Sequence, residues 1–153
     1  MSVAYSLELA TSLTKRQAYY LLAKRFEAQV TPDGMFAHRD NLLITGWDVP
    51  PGDTHAEIYE EAFHFTPTLS LGFPWPKESD YEQFYRLMLR ASMLMLEHAA
   101  DSVLRLDTLT VFQRIGGKLI FNTARDVWWE GKEKLIQEEV HVPYVLQVLP
   151  QLL

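Results

Sequence analysis

The sequence contains no cysteine, which excludes disulfide frameworks, thiolate zinc sites, iron–sulfur clusters and cysteine nucleophiles together. Long apolar runs are missing too: no window approaches the roughly 20 apolar residues of a membrane-spanning helix. The opening residues carry neither a basic segment nor an extended apolar stretch, and Glu8 breaks the one early apolar run. A cytoplasmic protein with no signal peptide and no membrane association is the expectation. Cations are in the minority, 14 Lys and Arg against 20 Asp and Glu, for a net charge of −6. Phosphate contacts need clustered cations, so a nucleic-acid partner is not expected. An acidic surface suits a basic protein partner instead, although modest acidity also keeps a domain soluble.

What the chain does have is the balance of one globular domain spanning residues 1–153, with 48% hydrophobic and 22% charged residues. Tyr5, Leu7 and Leu9 alternate with Ser6, Glu8 and Ala10, the period of a strand with one buried face. Thr14 and Gln17 form a capping box that opens a helix whose apolar stripe is Ala18, Leu22 and Phe26. Thr31-Pro32-Asp33-Gly34 reads as a turn, followed by short strands at 35–36 and 42–47 with a bend at Asp40-Asn41. Two prolines and a glycine between Asp48 and Asp53 make a surface loop. Residues 58–65 and 69–73 alternate as an adjacent antiparallel strand pair. Ser79 with Glu82 forms a second capping box before a longer helix that reaches about residue 100. A strand at 102–106 precedes a hairpin at 109–122, where Gly116 and Gly117 supply the positive φ of a tight turn. Residues 127–135 and 144–153 fit no element clearly, the latter being weakly helical. The expected fold is α+β, an antiparallel β-sheet with two main helices packed on one face.

No spaced set of catalytic groups emerges. Five histidines are scattered without a metal-binding spacing, so neither a metal nor any other cofactor is expected. Ser70, Ser92 and Ser102 lie in no glycine-flanked elbow, and Gly116-Gly117 lacks the third glycine and following helix of a phosphate loop. Glu57, Glu60 and Glu61 lie near Asp53 in sequence. On the expected strand, Glu57 and Glu61 share one face and Glu60 points to the other, as charges that blunt an edge strand would. Trp128 and Trp129, followed by Glu130, put aromatic surface beside acid, the composition of a protein-binding hot spot, unless both indoles seal the core.

Three segments carry a resemblance: Tyr5-Ser-Leu-Glu-Leu-Ala-Thr11, Asp101-Ser-Val-Leu104, and Val111-Phe-Gln-Arg114 with Gly116-Gly-Lys-Leu-Ile-Phe-Asn122. In that order the chain resembles the Sit-type immunity proteins of bacterial polymorphic toxin systems. The resemblance implies a non-enzymatic antidote that binds a cognate protein toxin. Asp53, Glu57, Glu60, Glu61, Trp128, Trp129 and Glu130 are then the candidate partner-binding residues. Two alternatives stay open: a small-ligand-binding or hydrolase-like domain in which Glu57, Glu61 and His64 converge in a cleft, and a homo-oligomeric structural domain with an apolar two-fold interface.

Overall fold

A computed structural model describes residues 4–37, 42–76, 80–124 and 131–150. In chain order the elements are β1 (Ala4–Thr11), α1 (Lys15–Phe26), β2 (Gln29–Thr31), β3 (Gly34–Ala37), β4 (Leu42–Asp48), α2 (Thr54–Phe63) and β5 (Leu69–Pro74). There follow α3 (Tyr81–Leu96), β6 (Ala99–Leu106), β7 (Leu109–Ile115), β8 (Lys118–Asn122), α4 (Glu133–Glu139) and β9 (Val145–Gln147). The nine strands form one sheet in the order β2-β3-β4-β5-β1-β6-β7-β8-β9. Every pairing is antiparallel except the last, where β9 runs parallel to β8. The fold is therefore α+β with a mixed sheet, and its described residues hold four helices where the sequence suggests two.

The sequence places β1 correctly but not its position, which is central, with Leu7 opposite Leu71 of β5 on one side and Leu104 of β6 on the other. Leu7 and Leu9 enter a large core with Leu22 of α1, Leu87 and Met88 of α3, and Leu135 and Ile136 of α4. Their neighbour Ala10 belongs to a second, smaller core with Val103, Ile115 and the α2 side chains Tyr59 and Phe63. Consecutive strand residues point to opposite faces, so α2 lies across the sheet from α1 and α3.

The capping box of α1 forms as the spacing requires, with Thr14 and Gln17 each accepting the other's backbone N–H. Gly116 and Gly117 make the β7–β8 turn at φ 61° and 81°. Gly34 is needed for a different reason: a Cβ there would stand 2.3 Å from the Ile44 carbonyl oxygen of β4.

Three expectations are corrected. Residues 58–65 are not a strand paired with 69–73; α2 occupies Thr54–Phe63, and β5 pairs with β4 and β1 instead. Ala56, Tyr59 and Phe63 are the buried residues of α2, a helical spacing, while Glu61, which the alternating pattern would put on their face, is exposed. The cap of α3 is Asp80, accepting from the N–H groups of Glu82 and Gln83, and Ser79 lies outside the described residues. Near the C-terminus, 145–147 is strand rather than helix. Asp40 and Asn41, the expected bend, also lie outside the described residues.

Candidate partner-binding site on the second helix

Pro50, Pro51 and Gly52 end the run of β4, and the chain turns there, with the Asp53 N–H bonded to the Pro50 carbonyl at 3.2 Å. Asp53 caps α2: its Oδ1 accepts the His55 N–H at 2.8 Å and its carbonyl accepts the Glu57 N–H at 3.1 Å. Its carboxylate thus starts the helix. From that start, the inner stripe of Ala56, Tyr59 and Phe63 is buried, while Glu57, Ile58, Glu60 and Glu61 face outward and are exposed.

Beneath α2 lies an assembled polar group. Glu8 of β1 is fully buried. Its Oε1 accepts hydrogen bonds from the Ser6 and Ser70 hydroxyls, both at 2.9 Å, and stands 2.7 Å from His55 Nε2. Arg105 of β6 donates from Nη1 to the Tyr59 hydroxyl at 3.3 Å, and its guanidinium carbon sits 5.6 and 5.7 Å from the Tyr59 and Phe63 ring centres. Glu8 Oε2 and Arg105 Nε are buried without a hydrogen-bond partner among the described residues. The rings of Trp47, His55, Tyr59 and Phe63 follow one another at 5.3, 5.0 and 5.4 Å. This cluster holds α2 to the sheet by directional contacts as well as by apolar burial.

The hydrogen bond to Glu8 raises the His55 imidazole above its ordinary pKa of 6.5. Burial opposes that rise, the charges of Glu8 and Asp53 add to it, and Arg105 subtracts from it. A raised folded-state value means that the pair stabilises the fold fully below about pH 6.5 and loses that contribution as pH climbs through the folded-state pKa. Thermal unfolding is expected to show a fall in midpoint over that window, and His55→Gln is expected to flatten it. An unchanged slope in His55→Gln would show that the pair carries no linkage. Glu139 works in the opposite direction: its bond to Arg90, at 2.7 Å, lowers its pKa, so its stabilisation is lost only on acidification.

The sequence-predicted residues separate into groups. Glu57 and Glu61 stand one turn apart on one helix face, exposed, and among the described residues neither has an ion-pair partner. Glu60 lies beside them rather than on the opposite face, and its Oε2 accepts from the Thr66 hydroxyl at 3.1 Å. The edge-strand role expected for these carboxylates falls with the strand. His64 ends the helix in a left-handed conformation and is exposed like Glu57 and Glu61, so the three face solvent. Trp128, Trp129 and Glu130 lie outside the described residues. Glu8, His55, Tyr59 and Arg105 were not among the candidates. Their shared face became recognisable only once α2 was placed over it.

Among the described residues no group of three or more His, Asp or Glu side chains could hold a metal ion, and no helix is long and apolar enough to cross a membrane. Fold and site define an α+β domain in which the fully buried carboxylate of Glu8 anchors a helix. The chain belongs to the SitI3-like family, whose sequence model matches residues 3–132. That family name points to an immunity protein rather than an enzyme. No curated protein and no solved structure matches the chain significantly. The segments that carried the resemblance fall on β1, β6, β7 and β8, which are neighbours in the sheet.

Proposed function

We propose that the protein is an immunity protein that binds and neutralises a cognate toxin of a bacterial polymorphic toxin system, acting in the cytoplasm and making contact through the outer face of α2. One observation supports this reading above the others: Glu57 and Glu61 are exposed, without an ion-pair partner among the described residues, beside Ile58, which is 43% exposed. Trp47, equally exposed, stacks edge-on against His55 one turn earlier. An apolar residue ringed by free carboxylates suits a basic protein surface, where the charges steer the encounter and the apolar contact sustains it. The Glu8–His55 anchor favours binding because a helix already fixed in place has less freedom to lose. Trp128, Trp129 and Glu130 remain part of the proposed surface on their sequence alone.

Occlusion of a toxin needs no bond-making by the antidote. The test is co-expression with the product of the adjacent gene. Co-purification as a stable complex, together with rescue of growth, is the expected result. Absence of both would overturn the reading.

A further inference from the structure

Two sets of charges left out of the internal ion pairs stand on opposite faces of the sheet. Among the described residues, ion pairs join Arg86, Arg90 and Lys134 to Glu82, Glu138 and Glu139, and His55 to Glu8. None of them uses Lys15, Arg16, Lys24 or Arg25, the four exposed cations of α1. Nor do they use Glu57 or Glu61 of α2. Because α1 and α2 lie on opposite sides of the sheet, one molecule cannot bring these two sets together.

We propose that two copies of this chain associate head to tail, the outer face of α1 in one receiving the outer face of α2 in the next. Arg16, Tyr20 and Lys24 fall four residues apart and so form one stripe along α1. Tyr20, at its centre, is 55% exposed, with the Arg16 guanidinium 6.0 Å from its ring centre. Beside this stripe a groove of about 280 Å³ is lined by Arg16, Tyr20, Val30 and Pro32 among others. On α2, Ile58 lies next to Glu57 and within a turn of Glu61. Seating Ile58 against Tyr20 would place the two carboxylates between the two cations. Arg16 and Lys24 are about 12 Å apart along the axis and Glu57 and Glu61 about 6 Å, a difference that long Arg and Lys stems take up by leaning inward.

In a chain of net charge −6, the outer face of α1 is a cationic stripe whose side chains join no ion pair among the described residues, and the exposed carboxylates of α2 recur on each copy. The two contacting surfaces differ, so the contact is heterologous and does not close on itself as a two-fold dimer would. The proposal rests on the two helix faces alone, and a toxin seated on α2 would compete with the second copy.

Sedimentation velocity over a concentration series tests it. In about 20 mM salt, where screening extends over roughly 20 Å, concentration-dependent association is expected; in about 500 mM salt it should weaken at least about tenfold. Arg16→Glu with Lys24→Glu, and separately Glu57→Lys with Glu61→Lys, should each abolish it. Mixing the two variants should restore it, since the first keeps a native α2 and the second a native α1. Circular dichroism checks folding, and the Gln versions of either pair replace any variant that fails to fold. A wild-type chain that stays monomeric in low salt, association that survives in either variant, or a mixture that stays monomeric would overturn the proposal. So would a wild-type chain whose α1 face retains nucleic acid and shows no self-association.

Discussion

Glu8→Ala is expected to destabilise the fold by about 3–5 kcal/mol, read as a lower urea midpoint with little change in slope. Glu8 is fully buried, and its Oε1 serves Ser6, Ser70 and His55 together. Truncation leaves those polar groups without their shared partner and opens a cavity between β1 and α2. It also removes a carboxylate that acts electrostatically on Tyr59, the partner of Arg105. Glu8→Gln keeps an acceptor oxygen in nearly the same place and should cost less, about 1–3 kcal/mol. Equal losses for Ala and Gln would show that the charge, not the accepting oxygen, holds the cluster together. No loss in either would show that α2 is kept in place by Tyr59 and Phe63 alone.

The second large effect is expected on binding rather than on stability. Ile58→Asp, and separately Glu57→Lys with Glu61→Lys, should each weaken the complex with the cognate toxin at least about a hundredfold, roughly 2.7 kcal/mol, and abolish protection of cells. All three positions are exposed, so the urea midpoint should move by no more than about 0.5 kcal/mol. The two variants should differ kinetically: charge reversal slows association and removes its salt dependence, whereas Ile58→Asp mainly speeds dissociation. Surface plasmon resonance separates the two rates. Variants that bind and protect like the native chain would move the contact surface away from α2.

Features legible in the sequence are those decided by neighbours along the chain. The Gly116-Gly117 turn and the Thr14–Gln17 capping box each need only a few adjacent residues, and both form as expected. The helix α2 was not legible because its apolar residues satisfy two periods. Tyr59, Phe63 and Phe65 suit a strand, and Ala56, Tyr59 and Phe63 suit a helix; a distant contact decides between them, the packing of Tyr59 and Phe63 against Val103. The polar cluster hides for the same reason. Glu8 meets His55 across 47 residues and Ser70 across 62, so an isolated acid in an alternating strand reads as solvent-facing. Misplacing the helix also separated Glu60 from Glu57 and Glu61, which share one exposed surface. At the C-terminal end, β9 has only three residues, and its strand character comes from pairing with β8 rather than from its own pattern.

The central place of β1 has a consequence for how the chain matures. Both of its neighbours come later, β5 at Leu69–Pro74 and β6 at Ala99–Leu106. At translation rates of about 5–20 residues per second, β1 leaves the ribosome roughly 5–20 seconds before β6 is available. Its edge towards β6 is unpaired for that interval, and the middle of the sheet is completed only after β6 has emerged.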